Sequence, residues 1–307
     1  MNNFTLKQLR YFEALARHGH FGRAADASAI SQPALSVQIK ELETSLGTPL
    51  FERGPRLVRL TAFGEAWAVR VREILRAVDE LGEMARASRD DLSGRLRIGV
   101  IPTIAPYLLP GLIRRLDDDH PDLDIHIRET VTPKLIEELS GGLIDMAIVA
   151  LPTGETMFEE VPLFDESFML VRPASDADRP VPSPEALREM RLLMLEEGHC
   201  FRDQALTFCN MQRVSPREGL DGSSLSTLVQ MVGAGIGVTL IPEMAVPVET
   251  RSAPVCIGRF AAPEPKRSVG MIWRKTNPLD SQFRKLAALV RDVAISDKPP
   301  AKAKAAC

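Results

Sequence analysis

The chain has 307 residues, 45% of them hydrophobic and 26% charged, an ordinary globular composition with apolar material for two cores, or for two domains and a connector. That composition excludes disorder over most of the length, no window holds the roughly 18 uninterrupted apolar residues of a membrane span, and residues 1–10 lack the charged-then-apolar pattern of a signal peptide, so a cytoplasmic protein is expected. The net charge of −3 is unevenly spread: residues 1–60 carry eight Lys/Arg against five Asp/Glu, a balance of +3, which leaves −6 for the remainder and matches a DNA-binding head on an acidic body.

Residues 1–60 read as three short helices and a basic hairpin. Leu6, Leu9, Phe12 and Ala16 recur at helical spacing and stop at the breaker Gly19. A second helix covers about Gly22 to Ser28, where the small pair Ala24 and Ala25 lets a neighbour approach closely. Ser31 is suited to cap a third helix and Pro33 to its first turn, with the helix running to about Ser45. Leu35, Ile39, Leu42 and Leu46 form its buried stripe. At 100° per residue Pro33, Ser36, Val37, Lys40 and Thr44 face away, with Gln32 at the edge. Two helices joined by a short turn, the second with an exposed polar start, have the geometry of a helix-turn-helix reader.

From Thr61 to about Arg89 there is no proline, and Trp67, Val71, Ile74, Val78, Leu81 and Ala85 are spaced 4, 3, 4, 3, 4. That heptad seam predicts a long dimerisation helix over 61–90, the alternative being an amphipathic helix packed on its own domain. The body follows a loop at Arg89 to Gly94. Strand-like runs at Leu96–Ile101, Asp145–Ala150, Ser167–Val171, Leu192–Leu195, Gly237–Ile241 and Val269–Trp273 alternate with helical stretches such as Tyr107–Asp117 and Pro133–Leu139. This pattern predicts an open, mostly parallel α/β sheet over 91–296, in two lobes with a cleft. Residues 297–307, rich in Pro, Ala and Lys, read as a disordered tail.

The string FGRAADASAISQPALSVQIKELETSLGTPLFER, followed by LTAFGEAW, resembles the winged helix-turn-helix of LysR-type transcriptional regulators. The resemblance implies a multidomain α+β and α/β protein: a winged helix-turn-helix, a long antiparallel dimerisation helix, and a two-lobed regulatory domain like the periplasmic binding proteins, assembled as a homotetramer, a dimer of dimers. Within the body, IGVIPTIAPYLLP (Ile98–Pro110), VPLFDE (Val161–Glu166), LLMLEEGHCFRDQALTFC (Leu192–Cys209) and GAGIGVTLIP (Gly233–Pro242) resemble the peroxide-sensing branch of that family. The expected function is a non-enzymatic regulator of antioxidant genes that senses hydrogen peroxide. Its expected partners are promoter DNA, its own copies, RNA polymerase and a thiol reductant, with no cofactor and no membrane.

For DNA, the resemblance places base contacts at Gln32, Pro33 and Ser36 and a phosphate contact at Arg53. Short amide and hydroxyl groups in the first turns of such a helix suit base edges, while Lys40, Arg56 and Arg59 suit phosphates. Many family members carry Arg where this chain has Val37, so one candidate contact is missing.

For chemistry, Cys200 follows Gly198 and His199 at what should be a helix start, where the macrodipole favours a thiolate and Arg202 adds positive potential. The resemblance implies that Cys200 attacks peroxide to give a sulfenic acid, captured by Cys209 as a disulfide. In a continuous helix nine residues are about 13.5 Å and 900°, which puts the two thiols on opposite faces. A disulfide needs Cα atoms within about 7 Å, so the intervening segment must unwind. The resemblance adds His199 and Asp203 beside Cys200, Asp203 to shuttle a proton, and Thr103 and Thr132 to hydrogen-bond peroxide. Without it both threonines read as helix caps, as do Ser224 and Thr227. Cys256, in an apolar run, reads as a small buried hydrophobe, and Cys307 as a tail thiol open to adventitious oxidation. No close cysteine pair or histidine cluster supports a zinc site.

Two other functions fit parts of the chain. A LysR-type regulator of a small metabolite would leave Cys200 and Cys209 structural. A thiol peroxidase would turn over with a reductant but leaves residues 1–90 without a purpose.

Overall fold

The structure, a computed structural model, describes residues 4–53, 58–87, 92–209 and 221–296. The chain divides into two compact units, Met1–Ala85 and Arg86–Cys307. Of the loop expected at Arg89 to Gly94, residues 89–91 lie outside the described residues and Gly94 opens a strand; the expected tail at 297–307 also lies outside them.

The first unit contains α1 (Leu6–His18), α2 (Phe21–Ala27), α3 (Gln32–Leu46), β1 (Phe51–Arg53), β2 (Val58–Leu60) and α4 (Ala62–Ala87). Thr5 and Gln8 close a reciprocal capping box on α1, which ends at the left-handed Gly19, φ 58°. The α3 cap is as expected: Ser31 Oγ accepts from the Ala34 N–H at 3.3 Å. Phe12, Leu15, Ala24, Ala25, Leu35, Ile39 and Leu42 are almost fully buried in one core, and the two alanines bring α2 close to its neighbours. Each large side chain so buried contributes about 1.5–3 kcal/mol. The hairpin pairs Phe51 with Leu60 and Arg53 with Val58, antiparallel. A Cβ on Gly64 would sit 2.1 Å from the Leu50 carbonyl oxygen, so only glycine lets the first turn of α4 meet the hairpin.

The heptad seam on α4 is split. Trp67 and Val71 pack on the core of their own unit, whereas Ile74 and Leu81 are 43% and 65% exposed.

The second unit contains β3 (Gly94–Val100), α5 (Ala105–Asp119), β4 (Leu123–Glu129), α6 (Thr132–Ser140), β5 (Met146–Leu151), β6 (Phe158–Pro173), α7 (Pro184–Leu187), β7 (Leu192–Leu195), α8 (Cys200–Phe208), β8 (Asp221–Gly222), α9 (Leu225–Gly233), β9 (Val238–Pro242), α10 (Val246–Glu249), β10 (Val255–Arg259), β11 (Lys266–Arg274) and α11 (Asp280–Ser296). The strands order β4-β3-β5-β11-β6-β9-β7-β8, with β10 also on β6.

The sheet is mixed, which corrects the expectation of a mostly parallel one. Strand β3 runs parallel to β4 and β5, and β7 parallel to β8 and β9, but β11 is antiparallel to β5 and β6, and β6 to β9 and β10. The reason is β6, which spans sixteen residues where the alternation showed only Ser167–Val171. Its first part pairs with β11, and its last residues pair with β9 and β10. One strand therefore serves both lobes: Phe158 and Leu163 lie in the first core, and Phe168 to Val171 lie in the second.

Candidate functional site

Three turns converge where the two cores of the second unit meet. The β3–α5 turn supplies Thr103, the start of α6 supplies Val131 and Thr132, and the start of α8 supplies His199, Cys200 and Phe201. Together they line a narrow crevice. Gly198, at φ +95°, makes the turn into α8 that only glycine adopts without strain. His199 stands at the N-cap and Cys200 is the first helical residue. Cys200 is partly buried against the first core, while Phe201 belongs to the second.

The threonines are not caps. Ile104 and Val131 occupy the N-cap positions of α5 and α6, without side-chain hydrogen bonds. Thr103 Oγ1 accepts from Arg267 Nη1 at 2.7 Å, and its carbonyl accepts from Nη2 at 3.0 Å. Thr132 Oγ1 is shut off from solvent with no hydrogen-bond partner among the described residues. A buried hydroxyl without a partner costs about 1–3 kcal/mol, so its presence in the crevice points to a guest. Ser224 does cap α9, accepting from the Thr227 N–H at 3.2 Å.

Arg267 is the cation at this site, and sequence reading missed it. Its side chain is fully buried, paired with Glu166 at 2.8 Å, and its guanidinium stands 5.5 Å from the Phe201 ring centre. Glu166 is held in turn by the Met244 N–H at 2.9 Å. The available signal was slight: Arg267 stands between Lys266 and Ser268, just ahead of the apolar run Val269–Trp273 of β11. Arg202, the expected source of positive potential, donates to the Leu195 carbonyl at 2.6 Å. Asp203 is exposed in the first turn of α8 and does not line the crevice. Burial pushes the His199 imidazole below its ordinary range, against the opposing pull of Glu196, so it is neutral at pH 7.

Cys209 ends α8 at the C-cap, fully buried in the second core. Burial pushes its thiol up to about 11, with Arg188 pulling the other way. The helix between the cysteines is continuous, so the two thiols are free and about 13 Å apart along its axis. Cys256 is buried in β10 with its thiol 3.4 Å from the Pro173 carbonyl. The described residues contain no group of three metal-ligating side chains and no helix long and apolar enough to cross a membrane.

In the first unit Gln32, Pro33 and Lys40 are exposed along α3 and Ser36 is half-buried. Val37 is 53% exposed on the same face. Arg53 ends β1 and Arg59 is exposed on β2, while Arg56 lies outside the described residues.

Comparison with known proteins matches two family models: "Bacterial regulatory helix-turn-helix protein, lysR family" over residues 6–65 and "LysR substrate binding domain" over 89–295. A probable hydrogen peroxide-inducible genes activator of Streptomyces viridosporus is 44% identical over 302 residues, covering 96% of each chain. Among solved structures, a cysteine-to-aspartate variant of full-length OxyR from Pseudomonas aeruginosa is 38% identical with a TM-score of 0.75, covering 94% of this chain and 95% of that one. A cysteine-to-serine mutant of Corynebacterium glutamicum OxyR with hydrogen peroxide bound is 35% identical with a TM-score of 0.66, covering 95% and 93%.

Proposed function

The chain belongs to the LysR family of bacterial helix-turn-helix regulators, and we propose that it switches transcription in response to hydrogen peroxide, with Cys200 as the thiol that is oxidised. The observation that carries this is the narrow crevice that brings together Cys200, Thr103, His199 and the hydroxyl of Thr132, which has no partner among the described residues. A cysteine beside two threonine hydroxyls in a narrow crevice suits a small oxidant that hydrogen-bonds while the sulfur attacks it.

The Cys200 thiolate attacks one peroxide oxygen; the S–O bond forms, the O–O bond breaks, and the departing hydroxide takes a proton to leave as water. Thr132 hydrogen-bonds the peroxide directly. Thr103, polarised by Arg267, holds the second oxygen where negative charge develops. His199, neutral in its half-buried place, closes the crevice, and Asp203, on the solvent side of the same turn, serves the leaving hydroxide only through water. The Cys209 sulfur then attacks the sulfenic sulfur, the S–O bond breaks, and a second water leaves with the thiol proton. Because the two thiols stand at opposite ends of α8, closing the disulfide unwinds that helix and repacks the second lobe. A thiol reductant resets the switch. One oxidation event per signal makes the protein a regulator and not a peroxidase.

Residues 1–60 form the winged helix-turn-helix, with Gln32, Pro33 and Ser36 on base edges of promoter DNA and Lys40, Arg53 and Arg56 on phosphates. Residues 61–90 form the dimerisation helix, whose exposed Ile74 and Leu81 supply a seam for a second copy. Residues 91–296 are the sensor, 297–307 a tail. The protein works in the cytoplasm as a dimer of dimers that signals to RNA polymerase.

The test is footprinting on the protein's own promoter region, reduced and after stoichiometric peroxide, for the wild type and Cys200→Ser, with free thiols counted. A footprint that shifts with loss of two thiols, and stays fixed in the variant, is expected. A footprint indifferent to peroxide, or a variant that responds equally, refutes the redox reading.

A further inference from the structure

Disulfide closure requires one end of α8 to leave its place, and the two ends are held differently. At the Cys209 end, Arg188 Nε donates to the Cys209 carbonyl at 2.8 Å. Arg188 is the C-cap of α7, a turn anchored by Leu187, which is fully buried in the second core. The tether therefore runs from a fixed support to the backbone of the residue that must move. A hydrogen bond from a charged donor is stronger than a neutral one, and this bond must break before the Cys209 backbone can shift toward Cys200.

We propose that Arg188 is a positioning residue that slows the second step of the switch by tethering the Cys209 backbone at its place in the second core. The inference rests on the reading of Cys200 and Cys209 given above. The step it governs is the attack of the Cys209 sulfur on the sulfenic sulfur of Cys200: S–S forms, S–O breaks, and the hydroxyl leaves as water with the thiol proton. Peroxide is the oxidant, consumed beforehand. Arg188 lies far along the helix from the crevice and does not affect that first step.

Charge offers a rival account, since the Arg188 cation also favours the Cys209 thiolate. The two are separable. In Arg188→Gln the amide nitrogen occupies the place of Nε, so the donor is kept and the charge is lost; in Arg188→Ala both are lost.

The experiment is rapid mixing of the reduced full-length protein with stoichiometric hydrogen peroxide, quenched at intervals with a sulfenate-trapping dione and a thiol alkylating agent, and read by mass spectrometry. The expected result is sulfenate formation at the wild-type rate in all three proteins, with closure about three- to tenfold faster in Arg188→Ala, as loss of one hydrogen bond allows, and nearer the wild type in Arg188→Gln. Closure that is unchanged in Arg188→Ala overturns the tether, and closure that is slowed in both variants assigns Arg188 to thiolate stabilisation instead. A wild type that forms no sulfenate at Cys200 overturns the underlying reading, and the tether with it.

Discussion

Helices α3 and α8 both carry proposed functional residues in the first turn, yet their ends are held in opposite ways. In α3 the Ser31 hydroxyl caps the start and left-handed Gly47 closes the end, while Leu35, Ile39 and Leu42 lie in one core. Its outward face is fixed. In α8 the N-cap His199 makes no side-chain hydrogen bond to the helix and Cys209 ends it without a left-handed residue, while Cys200 leans on one core and Cys209 sits in another. Under the proposed function, a helix that presents a constant face to DNA is capped by its own residues at both ends, whereas one that changes partners lacks such caps and is divided between two cores.

Removing the Thr132 hydroxyl breaks the comparison most sharply, because in the sensor a group that serves the guest is a cost to the fold. Thr132→Val keeps the shape and deletes the orphan oxygen. We expect oxidation of Cys200 to slow by up to about tenfold, the loss typical of one hydrogen bond to the bound peroxide, while stability holds or rises by about 1 kcal/mol. Timed thiol counting and denaturant unfolding read the two effects. A variant that is less stable but equally reactive would assign the hydroxyl to structure.

The second prediction concerns the buried end of α8. The Cys209 thiol is raised from its ordinary value of 9 to about 11 by burial, so the folded protein prefers the neutral form more than the unfolded chain does. The stability from this preference is complete below about pH 9 and is lost as pH rises through 11, on the order of 2 kcal/mol. Urea unfolding of the reduced protein at pH 8 and 10.5 should show a steeper loss for the wild type than for Cys209→Ala. Equal losses would mean that the thiol is solvated.

These two helices also mark what the sequence made legible. The limits of α3, its cap and its open face all follow from local signals: Ser31, Pro33, the stripe at Leu35 to Leu42, and Gly47. The start of α8 and the spacing of its cysteines were equally plain. What stayed hidden was non-local. Glu166 and Arg267 are 101 residues apart yet form one buried pair, and Arg267 reaches across 164 residues to Thr103. Nothing in either neighbourhood announces the other. The length of β6 was hidden too, because a strand that passes from one core to the next changes its pattern of burial midway, and its first half does not alternate as a half-buried strand should. The α4 seam shows a related limit: a heptad pattern looks the same whether its partner is another copy or the protein's own core, and Trp67 and Val71 have the latter while Ile74 and Leu81 are exposed.

The smallest effect tests the fixed helix. Ser31→Ala deletes the hydroxyl that accepts from the Ala34 N–H, which should cost about 1 kcal/mol and lower the unfolding midpoint of the first unit by several degrees. Because Gln32 and Pro33 stand in the turn that frays, affinity for promoter DNA should fall a few-fold, while oxidation of Cys200, in the other unit, keeps its rate. Ser31→Thr retains the hydroxyl and should restore both stability and binding. If stability falls but binding does not, the first turn of α3 is held by the DNA itself, and the rigidity that separates α3 from α8 would belong to the complex and not to the free protein.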